Sequence, residues 1–271
     1  MVGDWKKFEG QFFQDNFPLQ KFLGSTSYSA VFLTQTPPPE PKTLAIKFIS
    51  SGAKADFHAS LLRRASKLVH PNLLRLLPGG PCRLAGMDLV FGMMEYANQN
   101  LGQVIRRRPL TKKEAHELLE SLLDALGYIH SEGFAHSHIK PSNIMAVGNQ
   151  LKLSNDAVLP LSEPRPAYRP LDAYDPPEAG SAPVAPSNDV WSLAVTLLEV
   201  LTQQAPVSSL ESRDDPAVPS TIPQPFFDIA RNCLRRDPRL RWTTAQIKDA
   251  LKSLPSNSPH LPQRSPPLNK Q

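Results

Sequence analysis

The apolar residues of this chain change their spacing about a hundred residues from the N-terminus, and this change limits the folds that the chain can adopt. Before that point they form short runs, at 18–24, 29–35, 43–50 and 87–97. Short apolar runs bounded by turn residues are typical of strands. Beyond that point the apolar residues recur at helical spacing over longer stretches. We therefore predict an α+β protein with a small β-rich N-terminal lobe and a larger helical C-terminal lobe.

The predicted helices are marked by their ends as well as by their spacing. Residues 111–130 open with Thr111 and Glu114, a pair spaced to form a capping box, and a stripe of leucines follows. Residues 188–202 are apolar on nearly every face, which indicates a central, buried helix. Further helices are predicted at 55–69, 225–236 and 243–254.

The distribution of proline suggests where the folded part of the chain ends. Proline makes up 29 of the 271 residues, roughly twice the count expected from an average usage of about 5%. We predict one lobe over 1–97, a second lobe over 98–254 and a disordered Pro/Ser-rich tail over 255–271.

Charge and cysteine content exclude several classes of protein. The net charge of +5 is mild, and no long basic run with interleaved aromatic residues occurs, so we expect no nucleic-acid partner. The two cysteines, Cys82 and Cys233, lie far apart, which argues against a disulfide framework and favours the cytoplasm. No apolar window is long enough to predict a membrane segment in this chain.

Eight short motifs follow one another along the chain. They are "LAIK" (44–47), "HPNLLRL" (70–76), "MEYA" (94–97), "HSHIKPSNIM" (136–145), "LKLSNDA" (151–157), "DPPEA" (175–179), "NDVWSLAV" (188–195) and "CLRRDPRLR" (233–241). In this order they resemble the eukaryotic-like Ser/Thr protein kinases of bacteria, over about residues 15–253. The resemblance implies a two-lobed protein-kinase-like fold that uses ATP and Mg²⁺. It does not by itself imply activity, because function depends on the residues of the site.

The resemblance assigns one set of positions to the nucleotide. These positions are Gly24, Val31, Ala45, Lys47, Glu95, Ala97 and Met145. Three of them would enclose the adenine, the backbone of two would bond its edge, and the lysine would pair with phosphates. The same residues are equally well explained as the core between two lobes, so both interpretations stay open.

Two parts of this set depart from the family pattern. Thr26 and Ser29 stand where the phosphate-covering hairpin has glycine, and their side chains crowd that space. The hairpin is therefore either a weakened phosphate clamp or a plain turn. Lys47 has lost its usual partner, since no glutamate occurs between Glu40 and Glu95. We expect Lys47 to extend toward solvent or to pair with Asp56.

The catalytic loop has lost its carboxylate. His138 stands at the position of the aspartate that accepts the substrate proton, next to Ser137 in place of arginine, and Lys140 is retained. A histidine can act as a base, but it is neutral and cannot hold a hydroxyl group by charge. We expect that His138 serves packing rather than catalysis. Because Ser137 removes the arginine that docks a loop phosphate, we do not expect activation by phosphorylation.

The metal positions are weakened in the same way. Asn143 matches the metal-binding asparagine, but the Asp-Phe-Gly motif is replaced by Asn155, Asp156 and Ala157. Mg²⁺ prefers anionic oxygen ligands, and Asn155 offers a neutral carbonyl. Asp156 lies one residue later, where an extended chain would point it the opposite way unless a bulge intervenes. We expect Mg²⁺ to bind weakly or not at all.

The structural positions of the family pattern are all retained. The resemblance implies that Glu178 and Arg241 form a buried pair and that Asp189 holds the backbone of the catalytic loop. The residues that depart from the family pattern are therefore those of the phosphate, catalytic and metal positions, and the structural positions match it. This pattern favours a pseudokinase that regulates or scaffolds a protein partner and retains nucleotide binding without transfer. The alternative is a residual or unconventional Ser/Thr kinase that uses Asp156, Asn143, Lys140 and His138.

Overall fold

The computed structural model describes residues 4–50, 55–166, 171–204 and 214–252. The strands are β1 (Phe12–Phe13), β2 (Phe17–Pro18), β3 (Lys21–Ser25), β4 (Ser29–Gln35), β5 (Thr43–Ile49), β6 (Leu76–Leu84), β7 (Met87–Glu95), β8 (Gln99–Asn100), β9 (Phe134–Ala135), β10 (Ile144–Val147), β11 (Gln150–Leu153) and β12 (Leu159–Pro160). The helices are α1 (Ala55–Ala65), α2 (Leu101–Ile105), α3 (Lys112–Ser131), α4 (Pro186–Thr202), α5 (Phe226–Cys233) and α6 (Thr244–Lys252).

The N-terminal lobe is built on a five-stranded antiparallel sheet with the order β3-β4-β5-β7-β6. One face of the sheet buries an aromatic cluster, in which Phe13 packs edge-on against Phe48 and Phe91. The other face packs against α1, whose Leu62 approaches Gly92 in β7. Because side chains alternate across a strand, Lys47 in β5 projects from the face opposite to that of Phe48.

Strand β6 is absent from the predicted elements because its sequence reads as a turn. It contains Gly79, Gly80 and Pro81, residues that usually interrupt strands. The register of β6 against β7 shifts between Leu77 and Gly80. At Gly79 a Cβ atom would lie 2.0 Å from the carbonyl oxygen of Phe91, so only glycine fits there. The bulge thus explains both the glycines and the missed strand.

The helical lobe is organised around α4, as its uniformly apolar sequence predicts. Twelve of the 17 residues of α4 are buried, and the Trp191 ring faces the Arg241 guanidinium at 4.9 Å from its centroid. The predicted capping box of α3 is present, with Thr111 and Glu114 each accepting a backbone N–H from the other residue. Helix α1 ends at Ala65, four residues before the predicted end, because Leu68 N–H bonds back to Ala65 in a turn.

The two lobes confirm the predicted α+β class, and they share one continuous apolar core. Strand β10 pairs with β11 and β8, and a single 3-10 turn at Pro141–Asn143 precedes it. This unit places the loop 136–143 across the cleft from the five-stranded sheet of the N-terminal lobe. The lobe boundary at residue 97 stays a prediction, and the predicted tail lies outside the described residues. Within the part of the chain that the structure describes, no helix combines the length and apolar character needed to cross a bilayer.

Candidate functional site

A cavity of about 490 Å³ lies beneath β3, β4 and β5. Its lining includes every residue of the predicted nucleotide set, namely Gly24, Val31, Ala45, Lys47, Glu95, Ala97 and Met145. Small-molecule sites are usually cavities of ~300–1,000 Å³ with mostly apolar walls. The sequence prediction therefore selected residues from several strands that the fold brings to one place.

A second cavity of about 210 Å³ adjoins the deep end of the first. Its lining includes His138, Lys140 and Asn143 of the loop 136–143, residues that the resemblance assigns to the catalytic and metal positions. The two cavities share Lys47, Asn143 and Asp156. We call the part of the first cavity around Val31, Ala45 and Met145 the apolar end of the site, and the part around Lys47, Asp156 and the loop 136–143 the charged end.

The Lys47 ammonium is paired within the charged end. Its Nζ atom donates to Oδ2 of Asp156 at 2.6 Å, and the two side chains are 26% and 10% exposed. The expectation that Lys47 reaches solvent or pairs with Asp56 is therefore wrong. The physical reason is that a half-buried ammonium needs an anionic partner, and Asp156 supplies it from the loop that follows β11.

The positions of Asn155 and Asp156 are the reverse of those expected from the sequence. Asn155 is buried and donates its amide to the carbonyl oxygen of Ala65 in α1, so it does not line either cavity. Asp156 faces the cleft instead. The two side chains do point in opposite directions, as assumed. The bond to Ala65 directs Asn155 away from the cleft, and Asp156 therefore points into it. The sequence pattern carries no signal for that bond.

The residues of the charged end do not fit a tightly held Mg²⁺. Asn143 and Asp156 supply one amide and one carboxylate, and the carboxylate is already paired with Lys47. Mg²⁺ requires a near-octahedral set of oxygen ligands and releases its water reluctantly. Among the described residues, no group of three or more His, Cys, Asp or Glu side chains is placed to hold a metal ion.

The hairpin tip between β3 and β4 uses its own backbone donors. The Thr26 hydroxyl oxygen accepts the N–H groups of Tyr28 and Ser29 at 3.3 and 3.1 Å, and the N–H of Thr26 donates to the Ser29 carbonyl. The Thr26 and Ser29 hydroxyls also bond to each other at 2.8 Å. Phosphates bind such hairpins through free backbone N–H groups. These contacts favour the interpretation of the hairpin as a plain turn.

The contacts of His138 fix the position of its proton. The Asn143 amide nitrogen donates to both Nδ1 and the carbonyl oxygen of His138, at 3.2 and 2.8 Å. An amide nitrogen only donates, so Nδ1 is an acceptor and the ring proton lies on Nε2. Nε2 faces Oδ2 of Asp172 at 3.4 Å. His138 therefore has its basic nitrogen bonded to Asn143, which opposes a role as the general base.

Asp172 is a site residue that the sequence reading missed. Its Oδ2 atom accepts from Lys140 Nζ at 2.9 Å, and its Oδ1 accepts the N–H of Tyr174 at 3.0 Å. Burial alone would raise the pKa of Asp172, but hydrogen bonds from His138 and Lys140 outweigh it and hold that pKa well below its ordinary value. In the sequence, only the acidic residues of the segment 158–175 indicated that a carboxylate could reach the loop.

The structural positions lie in the contacts that the resemblance implies. Both carboxylate oxygens of Asp189 accept backbone N–H groups of the loop, from His136 at 2.8 Å and Ser137 at 2.7 Å. Glu178 and Arg241 form a bidentate pair at 2.6 and 2.8 Å. Asp189 thus holds the backbone of the loop 136–143, in which His138 stands at the carboxylate position of the family pattern.

This architecture, a β-rich lobe over a helical lobe with a cleft at Lys47, defines a kinase-type fold. The model of the protein kinase domain family matches residues 17–251, and the chain belongs to that family. It is 28% identical to the Ser/Thr-protein kinase PkaA of Streptomyces coelicolor over 239 residues, which are 78% of this chain and 43% of that protein.

Other relatives show the same partial coverage. The chain is 25% identical to the Ser/Thr-protein kinase PknB of Mycobacterium tuberculosis over 259 residues, which are 85% of this chain and 41% of PknB. It is 26% identical to a calcium/calmodulin-dependent protein kinase type 1 of Macrobrachium nipponense over 137 residues, 49% of this chain and 39% of that protein. The chain spans less than half the length of these three relatives.

Proposed function

We propose that this chain is a pseudokinase that binds the nucleoside part of a nucleotide without Mg²⁺ and transfers no phosphate. The observation that carries the proposal is the state of the catalytic loop. His138 has replaced the catalytic carboxylate, and its Nδ1 is engaged by Asn143. A neutral ring in that state neither attracts a hydroxyl group by charge nor accepts its proton, and loss of a general base typically costs about 10²–10⁴ in rate.

The contrast between the two ends of the cleft supports nucleoside binding. The apolar end, around Val31, Ala45 and Met145, belongs to a cavity of about 490 Å³. At the charged end Lys47 is paired with Asp156, and Thr26 accepts N–H groups that a phosphate would need. Binding free energy should therefore come from the base and the sugar, with little from the triphosphate.

The biological role that we propose is regulation or scaffolding of a protein partner in the cytoplasm. The scaffold contacts Glu178–Arg241 and Asp189–Ser137 keep the helical lobe ordered in the absence of catalytic groups. A ligand that binds the cleft would act by changing the balance between open and closed lobes. No described surface identifies the partner, which binding experiments must find.

The experiment is a thermal melt with adenosine or ATP, each with Mg²⁺ or EDTA, together with an assay of γ-phosphate transfer. A ligand at 100 times its Kd stabilises a protein by about 2.7 kcal/mol, which corresponds to several degrees. We expect adenosine and ATP to raise Tm by similar amounts in either buffer, with no transfer. A shift that requires both ATP and Mg²⁺ would contradict the proposal.

A residual Ser/Thr kinase is the second candidate, and the position of Asp156 in the cleft favours it. If this candidate is correct, phosphate transfer is measurable and Asp156→Asn abolishes it. Asp56→Asn is the matched control, since Asp56 is exposed on α1 outside the two cavities. Equal activity of the two variants would exclude a catalytic role for Asp156.

A further inference from the structure

The side chain of Asp172 lies where three donors converge. Lys140 Nζ and His138 Nε2 both contact Oδ2, at 2.9 and 3.4 Å, and the N–H of Tyr174 bonds Oδ1 at 3.0 Å. An ammonium, an imidazole N–H and a backbone N–H are the donors that bind phosphates as well as carboxylates. The Lys140 and Asp172 side chains are 23% and 31% exposed. The group is therefore accessible from solvent.

A second set of contacts holds Asp172 in this place. Its backbone N–H donates to Oδ2 of Asp175 at 2.8 Å, and the N–H of Asp175 returns a bond to the Asp172 carbonyl at 3.1 Å. Asp175 is in turn paired with Arg165, and the side chains of this pair are 5% and 8% exposed. The turn 172–175, held by the buried pair of Asp175 and Arg165, thus fixes the Asp172 carboxylate next to the loop 136–143.

We propose that Lys140 and His138 form a phosphate-binding site that is occupied by the chain's own Asp172. The carboxylate neutralises Lys140 and fills the space beside it, so an incoming phosphate has to displace Asp172 before it can bind. The low pKa of Asp172 agrees with this arrangement, since the carboxylate stays ionised at neutral pH. The inference deepens the proposed function and rests on it in taking this cleft as the ligand site.

The test measures the affinity of inorganic pyrophosphate in EDTA by titration calorimetry. Asp172→Asn removes the charge and keeps an oxygen for the Tyr174 N–H, so we expect pyrophosphate to bind about threefold tighter or better. The gain should disappear in the double variant with Lys140→Met. Asp172→Glu and the exposed control Asp88→Asn should bind as the unmodified protein does, since Asp88 is 84% exposed.

Three results would overturn the proposal. They are equal or weaker binding by Asp172→Asn, a gain that survives Lys140→Met, and a gain of the same size in Asp172→Glu. A second variant covers the case in which Asp172→Asn does not fold: Asp172→Ser also removes the charge, and it should show the same gain. Unchanged or weaker pyrophosphate binding by a folded Asp172→Ser would also overturn the proposal.

The same variants identify the source of the phosphate. A gain for both pyrophosphate and ATP assigns the site to the phosphates of a nucleotide, whereas a gain for pyrophosphate alone assigns it to a phosphate carried by another molecule. Neither outcome depends on γ-phosphate transfer or on adenosine binding. Failure of this inference is therefore distinguishable from failure of the proposed function.

Discussion

Asp172 places a carboxylate beside the catalytic loop from a different segment of the chain. The catalytic loop has a histidine where its carboxylate is expected, and a carboxylate from the segment after residue 170 lies against that histidine and Lys140. A carboxylate therefore lies beside Lys140, but it comes from a residue 32 positions later in the chain. A catalytic carboxylate accepts a proton from a substrate, whereas this one is held by three donors of its own chain.

The depressed pKa of Asp172 predicts a pH-dependent contribution to stability. An unfolded aspartate has a pKa of about 3.9, and the folded value is lower. The stabilisation is therefore complete above about pH 4 and is lost as pH falls toward the folded pKa. Near pH 7, Asp172→Asn should lower Tm by about 1–3 °C, and this difference should decrease below pH 4.

Thermal melts of both proteins between pH 7 and 3 measure the effect, with Asp88→Asn as the control. The Asp88 side chain is 84% exposed and lies 3.7 Å from Arg83, so its loss should change Tm little at any pH. A difference between Asp172→Asn and the unmodified protein that grows as the solution is acidified would contradict the assigned pKa.

At the level of elements, the features that depend on neighbouring residues were predictable, such as the cap of α3 and the bounds of β4. The capping box at Thr111 depends only on residues three apart, and the sequence shows both. Strand β6 depends on a bulge against β7 that only glycine allows at position 79, and this is a tertiary contact. The orientation of Asn155 likewise depends on a carbonyl in α1, 90 residues away. Local chemistry was therefore predictable, and long-range packing was not.

The cap of α3 gives a prediction at this scale. Thr111→Ala removes the oxygen that accepts the Glu114 N–H and disturbs the reciprocal bond. We expect the free energy of unfolding to decrease by about 1 kcal/mol. Urea unfolding measures it, with Thr221→Ala in an exposed loop as a control that should change stability by less than ~0.5 kcal/mol. Equal effects of the two substitutions on the free energy of unfolding would show that the cap does not stabilise α3.

At the level of the whole molecule, the seven positions predicted for the nucleotide lie together in the fold, whereas the ion-pair partners of Lys47 and Lys140 were not predicted. They line one cavity because β3, β4, β5, β7, β10 and the segment after β7 all border it. The partners of Lys47 and Lys140 are set by side-chain packing between distant segments. A residue pattern carries no direct record of such pairings.

The pair of Glu178 and Arg241 connects the segment after Asp172 to the end of the helical lobe. The Arg241 side chain is fully buried, and Glu178 is 17% exposed. Removal of one partner of a buried ion pair leaves an uncompensated charge and costs about 3–5 kcal/mol. Arg241→Met should therefore lower the free energy of urea unfolding by that amount.

Arg239→Met is the matched control for this substitution. Arg239 pairs with Asp237 two residues away, and its side chain is 86% exposed. Exposed pairs contribute ~0–1 kcal/mol, so the control should unfold close to the unmodified protein. Similar losses in the two variants would show that burial of the Glu178 pair does not determine its contribution.

The bond between Lys47 and Asp156 also has a kinetic consequence. It joins strand β5 of the N-terminal lobe to the loop after β11, and the two residues are 109 positions apart in the chain. An anion that takes the place of Asp156 at Lys47 must first break this bond. Where binding requires such a rearrangement, association is slower than direct docking. A neutral ligand at the apolar end does not need this step.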